Sequence, residues 1–216
     1  MDAQASGKYD VKREHPELYA PSTTEFTIVD VPPMRYLAID GQGDPNTAAW
    51  YGDAVEALFG VAYAVKFASK RTLEQDFVVA PLEGLWWAED QGVFVTRDKG
   101  AWSWTLLIAQ PDWIDEDAVA AAVDAVRAKS AKAGGRENPA LDALRLERLH
   151  EGRSVQILHV GSYDDEAPAL ARLHDAWMPQ QGLTFNGAHH EVYLSDARRT
   201  APEKLRTVLR QPVRPL

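Results

Sequence analysis

The chain uses one pattern twice. A strand-like run, Met34 to Asp40, enters the turn Gly41-Gln-Gly-Asp44 and then a helix-like stretch; Val155 to Val160 enters Gly161-Ser-Tyr-Asp164 and another. Farther on, Gly84-Leu-Trp-Trp-Ala-Glu-Asp90 parallels His190-Glu-Val-Tyr-Leu-Ser-Asp196, and Trp104-Thr-Leu-Leu107 parallels Arg206-Thr-Val-Leu209. Each half then reaches a Gln-Pro pair, Gln110-Pro111 and Gln211-Pro212. Self-similarity of this kind predicts two copies of one supersecondary unit, each unable to bury its apolar face alone. The unit reads strand, helix, strand, strand.

The segments between these landmarks fill in the unit. Residues 25–31 alternate as a strand, Pro32-Pro33 breaks it, and the run resumes at Met34. Asp44-Pro45 has the form of a helix start, and Trp50, Ala54, Leu58, Val61 and Val65 recur at helical spacing, predicting a helix over 46–67. Phe77–Val79, Leu82–Glu89 and Trp102–Ala109 read as strands, with a turn at Asp90-Gln-Gly92. Asp115–Lys132 is an alanine-rich helix, acidic first and basic last. Gly134-Gly135 and Asn138-Pro139 end it in a linker. In the second half, Leu170, Leu173 and Trp177 mark a helix closed by Gly182, followed by strands at His189–Ser195 and Lys204–Arg210, the last stopping before Pro212. The fold class is therefore α+β: duplicated strand–helix–strand–strand units forming an antiparallel sheet, with helices on one face and a ligand groove on the other. Residues 1–24 read as a loosely ordered arm. Residues 25–216 form the domain, with repeats at about 25–111 and 145–216 joined by a helical linker.

Composition narrows the function. The 216 residues carry 23 Lys and Arg against 32 Asp and Glu, a net charge of −9, which disfavours direct nucleic-acid binding and favours neutral or cationic ligands. Cysteine is absent, so thiol nucleophiles and zinc–thiolate sites are excluded. No apolar run is long enough to span a membrane and the first residues form no secretory signal, so a cytoplasmic protein is expected. Four of the seven tryptophans fall between Trp86 and Trp104, requiring either a large core or a cavity that stacks on something flat.

Strand alternation selects the side chains of that cavity. His190, Val192 and Leu194 share one face, expected under the helices; Glu191 and Tyr193 share the other, expected in the groove. Matching the two halves places Leu85 and Trp87 at the corresponding positions, with Trp102 and Trp104 together on the next strand. A carboxylate among aromatics is suited to general acid–base work or to pairing with a cation. The alternative is that Glu191 is an exposed strand residue paired with Arg or Lys, and that the aromatics are core. His159 shares a strand face with Val155 and Ile157 and reads as a buried, satisfied histidine. His189 and His190 point to opposite faces, so with Glu191 they hold no single metal ion, and no metal or other cofactor is expected. No phosphate loop and no nucleophile elbow are present, and Arg198-Arg199 reads as solvated or as a cap for Asp196.

Several strings together resemble one family. Val31-Pro-Pro-Met-Arg-Tyr-Leu-Ala-Ile-Asp-Gly-Gln-Gly-Asp-Pro-Asn46, Pro81-Leu-Glu-Gly-Leu-Trp-Trp87, Trp102-Ser-Trp-Thr105, Val155-Gln-Ile-Leu-His-Val-Gly161 and His189-His-Glu-Val-Tyr-Leu-Ser-Asp196 are similar to the GyrI-like small-molecule-binding domains. The nearer branch is the standalone one rather than that fused to a helix-turn-helix. The resemblance implies an aromatic groove with an acidic residue, which in fused regulators takes flat, often cationic drugs. It also implies, from some standalone members, hydrolysis of the cyclopropane of DNA-alkylating compounds. It makes Glu191 the residue that activates or orients water, Trp87, Trp104, Tyr163 and Tyr193 the walls, and His159 a support. The resulting expectation is a detoxifying hydrolase for a small hydrophobic or cationic aromatic ligand. The rival is a multidrug-binding protein that sequesters or senses without chemistry. Gyrase inhibition ranks third, because the acidic residues are interspersed rather than clustered.

Overall fold

The computed structural model describes residues 7–89 and 98–216; the turn expected at Asp90-Gln-Gly92 lies outside them. Among the described residues the chain forms a nine-stranded antiparallel sheet: β1 (Thr27–Val31), β2 (Met34–Gln42), β3 (Leu82–Trp87), β4 (Ser103–Gln110), β5 (Arg145–Leu149), β6 (Gly152–Val160), β7 (Leu183–Phe185), β8 (His189–Tyr193) and β9 (Arg206–Pro215). The order across the sheet is β1-β6-β9-β8-β3-β4-β2-β5, with β7 paired to the end of β9. The helices are α1 (Val11–Glu14), α2 (Pro16–Tyr19), α3 (Ala49–Thr72), α4 (Glu116–Lys132) and α5, which runs over 167–180 with a π-helical segment at Arg172–Trp177. The α+β class and its antiparallel sheet stand.

The duplication is visible in the strand order. β6-β9-β8 and β2-β4-β3 are the two repeats, meeting where β8 pairs with β3 in the middle of the sheet. The strand that precedes each repeat crosses to the other half. β1 leads into β2 but pairs with β6, and β5 leads into β6 but pairs with β2. Neither half therefore closes its own sheet, and one core draws residues from both.

Local chemistry explains the boundaries. Pro32-Pro33 lacks two N–H donors, so β1 ends at Val31 and β2 begins at Met34. The expected start of α3 at Asp44-Pro45 is instead a turn, with the Asp44 carboxylate accepting from the Asn46 N–H at 2.9 Å; the helix begins at Ala49 and continues past 67 to Thr72. Phe77–Val79 forms no strand and only Phe77 bridges, to Tyr9. β5, within the expected linker and repeat boundary, has the charged sequence Arg-Leu-Glu-Arg-Leu of a protected sheet edge. β9 runs through Pro212, because Pro212 sits opposite Ser154 where the ladder to β6 ends. The expected loose arm instead folds from Val11 as α1 and α2, burying Val11, Leu18 and Tyr19.

The register fixes which face each side chain takes, because paired residues share a face. Trp104 with Trp86, Gly84 with Glu191, and Leu82 with Tyr193 lie on one side. Helix α3 covers this same side, since its Tyr51 lies against Trp86 and Trp104. Helix α5 covers it too, with His174 against His189. Glu191 and Tyr193 thus lie on the face that α3 and α5 cover, rather than on the face away from the helices. The opposite face carries Glu83, His190 and Arg210 and is covered by α1 and α2.

Candidate functional site

The floor of the groove is the β8–β3 pair. Glu191 leaves β8 between His189 and Tyr193, with its side chain about 15% exposed. The Tyr193 hydroxyl accepts from the Trp86 indole N–H at 3.0 Å, on the same face as Glu191. Gly84 makes this arrangement possible: a Cβ there would lie 2.9 Å from Trp86 Nε1 and 3.1 Å from the Tyr193 hydroxyl. His189 Nε2 stands 3.6 Å from the Glu191 carboxylate.

Aromatic rings enclose the carboxylate. Tyr51, from the first turns of α3, stacks near-parallel to Trp86 with centroids 6.5 Å apart, and Trp102 meets Trp86 edge-on at 5.8 Å. Tyr163 stands edge-on to Tyr193 at 5.7 Å and is 41% exposed, so it forms the mouth. Burial, followed by the nearby Glu191 charge, pushes the Tyr51 and Tyr193 hydroxyls well above their ordinary range. Burial and the charges of Glu166 and Glu191 push Tyr163 up to about 12. These tyrosines stay protonated and act as donors.

A second carboxyl completes the site. Glu166, at the start of α5, is 4% exposed, and its Oε1 has no hydrogen-bond partner. Burial first, then the charge of Glu191, lifts it to about 10. This second carboxyl, held protonated by burial, thus lies within electrostatic reach of Glu191. Behind them His174, within the π-helical segment, is held down to about 4 by burial and by His189. Among the described residues no group of three His, Asp or Glu is placed to hold a metal ion.

The expected site residues divide. Glu191 and Tyr193 share the groove, with Tyr163 at its rim. Trp104 lies on the groove side but is fully buried, its ring pressed on Gly41, where a Cβ would come within 2.1 Å; it backs Tyr51. His159 sits farther along the same face, its ring bonded to the Ser162 carbonyl at 3.1 Å, where it holds the turn that carries Tyr163. Trp87 is corrected. Trp86 is the residue on Glu191's face, and Trp87, paired with Ser103, points the other way. The string match between Gly84–Asp90 and His190–Asp196 has an even offset, whereas the groove-facing residues are even-numbered in β3 and odd-numbered in β8. Sequence reasoning missed Tyr51 and Glu166. The first sits on a helix face that alternation does not address, and the second ends an acidic run, Asp164-Asp165-Glu166, that reads as solvated.

The opposite face carries a buried charge network. His190 holds Glu83 through Nε2 and Glu151 through Nδ1, each at 2.9 Å, and is fully buried. Arg210 donates to Glu151, to Gln156 and to the Leu18 carbonyl at 2.9–3.2 Å. The Tyr19 hydroxyl donates to Glu83 at 2.9 Å. Two cations balance two carboxylates. Burial opposes a charged His190, but Glu151 and Glu83 hold it up at about 9; burial opposes a charged Glu151, but His190 and Arg210 hold it down at about 2.

Known proteins share this fold. An uncharacterised conserved protein from Listeria innocua shares 38% identity with a TM-score of 0.86, over 96% of this chain and all of that one. A hydrolase from Listeria innocua shares 37% with a TM-score of 0.83 at the same coverage. The EcmrR C-terminal domain, 11% identical, has a TM-score of 0.56 over 89% of this chain and 98% of its own, a likeness of fold alone. No curated protein gives a significant sequence match. Residues 24–214 match the GyrI-like small molecule binding domain, and the chain belongs to that family.

Proposed function

We propose that the chain is a hydrolase that takes a flat aromatic compound, neutral or cationic, into the groove and opens a strained cyclopropane on it with water. In the cell this activity detoxifies DNA-alkylating compounds in the cytoplasm. The observation that carries the reading is the carboxyl pair: Glu191, enclosed by aromatic rings, beside Glu166, neutral and buried. The ligand lies along Trp86, Tyr51 and Tyr163. Glu191 takes a proton from water as the oxygen attacks the ring carbon and the strained carbon–carbon bond breaks. Where the ring is conjugated to a carbonyl, the released electron pair moves to that oxygen, and Glu166 gives it a proton. Proton transfer from Glu191 back to Glu166 restores the pair. Water and the ring are consumed, an alcohol and an enol or phenol are formed, and no other reactant is needed.

The test is incubation with a cyclopropane-bearing alkylator, followed by mass spectrometry for the water adduct. Wild type forms it catalytically, and Glu191→Gln still quenches tryptophan fluorescence on ligand addition but turns over at least ~100-fold more slowly, the loss expected when a general base is removed. Equal rates for both proteins remove Glu191 from the mechanism. Ligand recovered unchanged from wild type makes the protein a sequestering one.

A further inference from the structure

The two ends of the Glu191 site differ in how their polar atoms are served. At the first-half end the indole N–H groups of two tryptophans have partners: Trp86 donates to the Tyr193 hydroxyl at 3.0 Å and Trp104 to the Gly43 carbonyl at 3.2 Å. The second-half end is different. Among the described residues, Glu166 Oε1, Thr207 Oγ1, His174 Nε2 and both ring nitrogens of His189 are buried without a hydrogen-bond partner. Glu166 is 4% exposed and Thr207 is fully buried. These side chains gather around Glu191. His189 and Thr207 lie on its face, His189 opposite Trp86 and Thr207 opposite Tyr193 in their ladders. His189 Nε2 is 3.6 Å from the Glu191 carboxylate, and the His174 ring stands edge-on to His189 at 6.2 Å. His174 comes from the π-helical segment of α5, a distortion that recurs at functional sites. A buried polar atom left unpaired costs free energy, so a cluster of them in one place calls for a ligand group that pairs with them.

We infer that this cluster is a subsite for a neutral group that both donates and accepts hydrogen bonds, of the carboxamide type, carried at one end of a flat ligand whose rings lie on Trp86 and Tyr51. The inference rests on the reading of the Glu191 site as the place where a flat aromatic binds. The charge pattern selects the class. Glu166 is held protonated and His174 neutral, so with Thr207 each offers a donor and an acceptor and none a full charge. Against an anion stand Glu191 and Asp164, whose negative charges add to burial in holding Glu166 up. Arg172, a cation of the same helix, lies over the Phe26 ring at 4.7 Å. A ketone would satisfy the donors and leave the acceptors unpaired, whereas a carboxamide serves both from one plane. His189 stands one strand from Trp86, so the amide is attached directly to the stacked ring.

Isothermal titration calorimetry on the full chain with three probes of one shape tests this: naphthalene-2-carboxamide, 2-acetonaphthone and naphthalene-2-carboxylate. Wild type is expected to bind the amide roughly 3–10-fold tighter than the ketone, which lacks the donor, and the carboxylate weakest. Thr207→Val and His174→Phe keep the shape and remove the polar atoms. Each is expected to bring the amide-to-ketone ratio toward one while ketone affinity stays within ~twofold. Thr207→Val is also expected to raise the Tm of the free protein by roughly 2–4 °C, because an unpaired hydroxyl is gone. An amide bound no tighter than the ketone by wild type overturns the inference, as does a ratio that survives both substitutions. A Tm lowered by Thr207→Val overturns it too, since the fold itself would then pair that hydroxyl. None of the probes carries a cyclopropane, so the ratio is read without turnover: its loss leaves hydrolysis at Glu191 untouched, and absent hydrolysis leaves the ratio standing. Failure of all three probes to bind at about 1 mM overturns the subsite together with the flat-aromatic reading of the site.

Discussion

Replacing His190 with Gln isolates the charge network behind the groove. His190 is fully buried and held at about 9, against an ordinary value near 6.5. That difference corresponds to about 3 kcal/mol of stability. Because the folded value is the higher one, the contribution is complete below about pH 6.5 and is lost as pH rises through about 9. In a chain of this size the loss amounts to roughly 6–12 °C in Tm. Glu166 also binds its proton more tightly when folded, so it slopes the same way, and the informative quantity is the difference between wild type and variant. Chemical denaturation between pH 6 and 9.5, a range chosen to bracket the two values for His190, should show the wild type losing about 3 kcal/mol more than His190→Gln. At pH 6.5 or below the variant should be less stable by about 3–5 kcal/mol, since Glu83 and Glu151 then face Arg210 alone. Parallel pH profiles for the two proteins would refute the assignment of a charged His190.

Three further outcomes follow from the groove. Trp86→Phe should weaken binding of a flat aromatic cation by roughly 3–10-fold in a fluorescence titration, while Trp87→Ala leaves it unchanged, because only Trp86 shares the face of Glu191. Gly84→Ala should cost about 1–3 kcal/mol by forcing apart Trp86 and Tyr193, read as a lower Tm and altered tryptophan emission. Glu166→Gln preserves a neutral side chain, so Tm at pH 7 should move by no more than ~2 °C while turnover falls; equal turnover would remove Glu166 as the acid.

The duplication and the antiparallel sheet were legible because they depend on patterns that survive small errors of alignment. The sidedness of β3 was not. A strand repeats every two residues, so a one-residue slip exchanges Trp86 for Trp87 and sets the wrong indole on the face of Glu191. Glu83, Glu151 and Arg210 were invisible for another reason. Singly, each reads as a surface charge, and only the crossing of β1 and β5 and the packing of α2 close them off from water. The side of the sheet on which the groove opens was misread because Val192 lies beneath α1 and α2, helices the sequence did not announce. Four-residue helices carry almost no periodic signal.

The two faces of β8 are one constraint. His190 and Glu191 are neighbours in sequence and so point in opposite directions. Both ring nitrogens of His190 lie 2.9 Å from a carboxylate oxygen, one from Glu83 of β3 and one from Glu151 in the turn before β6. Glu191, the next residue along β8, is thereby set on the face of Trp86, where His189 and Tyr193 flank it. A general base gains most from such pre-set geometry, since reorganisation during the reaction is what it must avoid. The residues free to vary are those at the rim, Tyr163 in a turn and Tyr51 near the start of α3. Changes there should alter which flat molecule is accepted, while changes behind β8 should alter stability and rate for every ligand alike.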